Sequence, residues 1–115
     1  MELGTHLLID LSEVERALLD DVDTVRELLR KAALDGGATV VNECLHRFAP
    51  QGISGVIVLA ESHLAIHTWP EHGTAAVDVF TCGRPEVAEA VAQQILRTFK
   101  PGDHSIRSQP RCVRR

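Results

Sequence analysis

The sequence predicts an α+β fold: one mostly antiparallel sheet with two helices on one face, in the order β-α-β-β-β-α-β. Three observations carry this. Val22, Val25, Leu28, Leu29, Ala32 and Ala33 follow the three-then-four spacing of one apolar helix face. Val87, Val91, Ile95 and Phe99 recur every four residues, the narrow stripe of a helix that lies on a sheet. Around these segments lie short apolar runs bounded by Gly and Pro, the mark of strands and turns. A sheet covered on one face leaves the other bare, so the sheets are expected to pair in a dimer.

Each element has its own local reason. Leu3 to Leu11 is a short apolar run that reads as a strand. Ser12-Glu13-Val14-Glu15 has the spacing of a capping box and predicts a turn or short helix. The first long helix runs from Asp23 to about Leu34, with Arg26, Glu27, Arg30 and Lys31 on its polar side, and Gly36-Gly37 ends it. Ala38 to Phe48 reads as a strand, broken by Pro50-Gln51-Gly52. Ser54 to Ala60 is nearly continuous in apolar residues, as a central strand is. Glu61-Ser62-His63 is expected to turn the chain into a return strand, Leu64 to Trp69. After a turn at Pro70-Glu71-His72-Gly73, a further strand from Ala75 to Thr81 alternates Val77, Val79 and Thr81. Pro85 suits the first position of the second helix, which Pro101-Gly102 stops. His104 to Ser108 is expected to add a last strand, and Arg111 to Arg115 to be a frayed tail.

Composition narrows the classes of function. A chain of 115 residues is a single domain with a modest core, in which association with a second copy helps. A net charge of −4 argues against nucleic acid as the main partner. No apolar segment approaches the roughly 18–20 residues of a membrane span, and the N-terminus lacks the pattern of a signal peptide. Cys44, Cys82 and Cys112 form no CxxC pair, so no metal is expected and a reducing cytoplasm is the expected setting. With Phe48, Phe80, Phe99 and Trp69 as the only large aromatics, any exposed one is informative.

The chemically capable residues concentrate between Ser54 and Cys82. Taken singly, each has a plainer reading. Ser62 lacks the glycine frame of a hydrolase nucleophile and reads first as a turn residue. His63 and His67 are four apart, which in a strand separates them by roughly 13 Å and rules out a shared ion. His67 alone reads as a half-buried histidine. Cys82 precedes a helix whose positive end could activate a thiol, yet a lone cysteine there is more often a small buried hydrophobe.

Taken together they have a pattern. The stretch from Gly52 to Gly83, with Glu61-Ser62-His63-Leu64 and Thr81-Cys82-Gly83 at this separation, resembles the prokaryotic S-adenosylmethionine decarboxylase family. Leu3-Gly4, His6, Gly37-Ala38-Thr39 and His46 to Gly52 extend the likeness over about the first hundred residues. The resemblance implies a chain that cuts itself between Glu61 and Ser62 and so makes its own pyruvoyl cofactor. Ser62 Oγ would attack the Glu61 carbonyl carbon, Ser54 would donate to the oxyanion, and His67 would remove the Ser62 α-proton. Elimination would release residues 1–61, and the dehydroalanine left at position 62 would hydrolyse to pyruvoyl. That group would form a Schiff base with the substrate amine and take up the electrons left by CO₂. Cys82 would return a proton to the α-carbon. Phe48 and His67 would face the adenine ring, Glu71 would accept from the ribose diol, and the active site would sit in a homodimer.

Some positions depart from the usual pattern: Thr5 replaces a basic residue, Thr74 an aromatic, and Ala60 a serine, while Asp10 to Glu13 replace a tryptophan-glycine-cysteine segment. They leave open relatives that decarboxylate arginine or ornithine. A non-catalytic dimer that binds a nucleoside is the alternative of a different class. Phe48 and Glu71 favour S-adenosylmethionine, and with it a role in spermidine and polyamine synthesis.

Overall fold

Alternation along the strands sets the layers. In β3 (Ile53–Leu59) and β5 (Thr74–Thr81) every second residue is buried, and β1 (Glu2–Ser12) and β4 (Ser62–Trp69) follow the same rule over most of their length. Strands with that period bury one face and leave the other open. The computed structural model, which describes residues 1–114, completes the sheet with β2 (Val40–Arg47) and β6 (Asp103–Cys112) in the order β2-β3-β4-β5-β1-β6. All five pairings are antiparallel. The helices α1 (Val22–Asp35) and α2 (Pro85–Phe99) occupy the face that carries Leu7, Ile57, Leu64, Ile66, Val77 and Val79. Four strands lie between the helices, matching the four segments read there one by one, where the order β-α-β-β-β-α-β counts three.

The helices are held by the residues that foretold them. Val25, Leu29, Ala32 and Ala33 of α1 are buried, as are Val91, Ile95 and Phe99 of α2, widened by Ala88, Ala92 and Thr98. Complete burial of a side chain the size of Ile95 or Phe99 contributes about 1.5–3 kcal/mol. Where the helices cross, a Cβ on Gly36 would lie 2.8 Å from the Val91 backbone, so only glycine allows this approach. Gly37, with φ of +89°, then releases the chain toward β2.

Three local expectations change. The capping box does not form: Ser12 ends β1, Glu13 takes a φ of 55°, and a short 3₁₀ turn at Arg16–Leu18 has no side-chain cap. The functioning cap is Asp21, whose carboxylate accepts from the Thr24 N–H at 2.9 Å. The tail is not frayed, because Arg111 and Cys112 belong to β6 and pair with Gly4 and Glu2 of β1; Arg115 lies outside the described residues. Lastly, the turn after β3 is Ala60-Glu61, and Ser62 is already the first residue of β4.

One buried polar side chain joins the sheet to the segment before α1. Thr68 is 1% exposed; its hydroxyl donates to the Leu19 carbonyl at 2.7 Å and accepts from the Ile53 N–H at 2.9 Å. Thr68→Val keeps the shape and strands both backbone partners, so it is expected to cost about 1–3 kcal/mol in urea unfolding. A loss below a few tenths would contradict this role.

Candidate active site

The β3–β4 hairpin is gripped from two sides. Leu59 pairs with Ser62, which leaves Ala60 and Glu61 as a two-residue turn. On one side, Ala60 N–H donates to the Thr39 carbonyl at 2.9 Å, and Thr39 N–H donates to Glu61 Oε1 at 3.0 Å. On the other, Cys82 N–H donates to the Glu61 carbonyl at 2.8 Å. The Glu61–Ser62 peptide is therefore fixed on both flanks, with its carbonyl already polarised by a backbone donor. Ser62 holds a φ of 156°, which side chains seldom permit. Its Oγ lies 3.3 Å from Nδ1 of His63.

Cys82 reaches this place because Thr81, the last residue of β5, pairs with Ser62 on one side and with Thr5 on the other. Its side chain is exposed rather than buried, which removes the plain reading as a small core hydrophobe. It lines a small cavity with Glu2, Leu3, Gly4, Gly83 and Pro85. Gly4 is required there: a Cβ would come within 2.5 Å of the Thr81 carbonyl.

A second cluster stands at the other end of β4. Ser54 on β3 pairs with His67 on β4 and with His46 on β2. The ring of His67 lies 4.4 Å from Trp69 and 5.8 Å from Phe48, and Phe48 lies 4.7 Å from His46. Phe48 follows the end of β2 instead of belonging to it, and it remains 41% exposed. Glu71 follows in the short turn Pro70–His72 and is exposed. For a planar base to enter between Phe48 and His67, the rings must open to about 7 Å, two van der Waals layers. His46 and Trp69 were not singled out as site residues; both become visible only when the register sets them beside His67.

Within one chain the structure does not bring the two clusters together. Ser62 and His67 are five residues apart on the same strand, about 17 Å. Ser54, opposite His67, is equally far from the Glu61 carbonyl, where the Cys82 amide stands instead. Between the clusters the open face of the sheet presents Val56 and Val58, 40% and 41% exposed, beside Ala65. Among the described residues there is no group of three metal-ligating side chains, and no helix is long and apolar enough to cross a membrane.

The S-adenosylmethionine decarboxylase family model matches residues 5–112. The chain belongs to that family. It is 52% identical over 98 residues to an S-adenosylmethionine decarboxylase proenzyme of Thermodesulfovibrio yellowstonii, covering 85% of this chain and 73% of the relative. A proenzyme of the same description from Moorella thermoacetica is 48% identical over 101 residues, covering 88% and 81%. The crystal structure of the adenosylmethionine decarboxylase from Aquifex aeolicus superposes with a TM-score of 0.91 at 38% identity, over 99% of this chain and 94% of that one. The Trypanosoma brucei AdoMetDC-delta26 monomer, at 17% identity and a TM-score of 0.61 over 89% of this chain and 44% of that one, shares the fold.

The loop that carries Phe48 is anchored by Asp20. Its carboxylate accepts from Gly52 N–H at 2.9 Å and from Arg47 at 3.0 Å. The Gly52 N–H, and after it the Arg47 guanidinium, hold the Asp20 carboxyl below its usual 3.8. A carboxyl lowered by folding stabilises the fold fully above its unfolded value, and that contribution is lost as pH falls through the lower native value. Asp20→Asn is therefore expected to flatten the fall of Tm on acidification below about pH 4. An unchanged slope would show that Asp20 does not anchor the loop.

Proposed function

We propose that this chain is a proenzyme that cuts itself between Glu61 and Ser62, turns Ser62 into a pyruvoyl group, and then decarboxylates S-adenosylmethionine. The product is the aminopropyl donor of spermidine and polyamine synthesis. The observation that carries the proposal is the held Glu61–Ser62 peptide, with a backbone N–H on its carbonyl at 2.8 Å. A preorganised donor of this kind stabilises the oxyanion that forms when a nucleophile adds to the carbonyl. The fit to a self-made group is good: position 62 lies beside the exposed Cys82, on the strand that pairs with the one before it. Once formed, the pyruvoyl group supplies the electron-withdrawing carbonyl that the loss of CO₂ demands.

His67 serves as the base for the Ser62 α-proton, and Ser54 donates to the oxyanion formed during cleavage, but both come from a second copy of the chain. The separation of about 17 Å along β4 supports this arrangement, since neither end of a paired strand can move that far. The bare face with Val56, Val58 and Ala65 offers the surface for stacking two sheets about 10 Å apart. A two-fold axis that lies between the sheets and crosses the strands turns the partner end for end. The His67 cluster of one copy then covers the Ser62 cluster of the other, and two equivalent sites result.

In each site Phe48 and His67 take the adenine ring between them, and Phe48 offers its face to the sulfonium. Glu71 accepts from the ribose diol. Cys82 delivers the proton to the α-carbon after CO₂ has left. The aromatic cluster of His46, Phe48, His67 and Trp69 suits a nucleoside better than the side chain of arginine or ornithine.

Mass spectrometry of the purified protein is expected to give two pieces, residues 1–61 and a second that begins with pyruvoyl. A chain that stays whole would favour the non-catalytic binder. Cys82→Ala is expected to be cut, because the amide and not the thiol holds the Glu61 carbonyl, while CO₂ release falls about 10²–10⁴-fold. Unchanged turnover in that variant would remove Cys82 from the reaction.

A further inference from the structure

We propose that His63 is the base that starts the cleavage, acting on the serine next to it in its own chain. The inference rests on the self-cleavage reading above and assigns a step which that reading leaves without a base. Ser62 Oγ must lose its proton as it attacks. Nδ1 of His63 is 3.3 Å from that oxygen, within reach of a general base before the reacting geometry tightens. His67, some five residues along β4, cannot serve this step within the chain.

The position of the ring supports the role. His63 pairs with Val58 on β3 and Phe80 on β5, and its ring lies 5.6 Å from the Phe80 ring at an angle of 37°. Packing against Phe80 fixes the imidazole at the end of the sheet. With the ring proton on Nε2, Nδ1 is free to accept.

The step balances without an outside reactant. The Ser62 Oγ–H bond breaks toward His63 Nδ1 as Oγ bonds to the Glu61 carbonyl carbon, closing a ring through Ser62 Cβ, Cα and N. The carbonyl electron pair moves onto the Glu61 oxygen, which the Cys82 N–H holds. When that pair returns, the carbon–nitrogen bond breaks, and His63 gives its proton to the Ser62 nitrogen. An amide has become an ester and the imidazole is restored. His63 thus makes the ester, and the partner's His67 eliminates it.

Hydroxylamine separates the two steps, since under mild conditions it cuts esters and spares amides. In His67→Ala the ester is expected to accumulate, and hydroxylamine should release residues 1–61 as a C-terminal hydroxamate, with a second piece that begins at an unmodified Ser62. Placing His63→Asn in the same background keeps a hydrogen-bonding group but no proton acceptor. It is expected to slow the appearance of these pieces about 10²–10⁴-fold. His63→Ala in that background should behave alike, and added imidazole should restore part of the rate, which a loss of folding would not permit. Pieces that appear from His63→Asn at the parental rate would overturn the assignment while leaving self-cleavage intact. If neither the wild-type chain nor His67→Ala yields any piece, self-cleavage and this role of His63 fall together.

Discussion

The hydrogen bond from Cys82 N–H to the Glu61 carbonyl exists because β5 ends on the pairing of Thr81 with Ser62, which sets the next residue, Cys82, beside Glu61. Everything chemical at that end of the sheet depends on this register. It polarises the Glu61 carbonyl, and it sets Cys82 beside Ser62. A shift of one residue would invert every side chain of β5 between core and open face. Val77 and Val79, both buried, make such a slip costly. The hydrophobic core thus fixes a reacting geometry at its edge, where few apolar contacts remain.

The same register explains why the two clusters stay apart within one chain. Strand pairing is stiff, and β4 carries Ser62 at its first position and Trp69 at its last. The held Glu61–Ser62 peptide and Cys82 therefore gather at one end, and His67 with its aromatic neighbours at the other. On the proposed reading, two copies stacked with strands reversed bring the two clusters together without distortion. On that reading the exposed valines of β3 lie in the interface between the copies.

Much of this was legible in the chain itself. Helix stripes at 22–33 and 87–99 and alternation at 75–81 carry a period that burial imposes directly. The misplaced features lack such a period. Every described residue of β6 is exposed, so no alternation marks residues 109–112 as strand; only their pairing with β1 extends it. The turn read as Glu61-Ser62-His63 is Ala60-Glu61 because Thr39, 22 residues before Glu61, clamps it from outside the hairpin. Ser12 cannot cap a helix when pairing with Asp103 of β6 draws it into β1 and the chain bends at Glu13. At the site, the residue types Ser62, Cys82, His67 and Phe48 were readable from the family pattern. Their division into two distant clusters, and the contact of His63 with Ser62, were not, because both follow from strand register.

Mixing two inactive chains tests the shared site most directly. Ser62→Ala lacks the cleavage serine but keeps His67; His67→Ala lacks the base but keeps Ser62. Each is expected to remain unprocessed alone. Co-expressed, they form mixed dimers in which one site combines Ser62 of the His67→Ala chain with His67 of the Ser62→Ala chain. The His67→Ala chain, and only that chain, should then be cut at Glu61–Ser62 and carry pyruvoyl. If it stays whole in the mixture, or is processed to pyruvoyl with no partner present, the site is not divided between two copies.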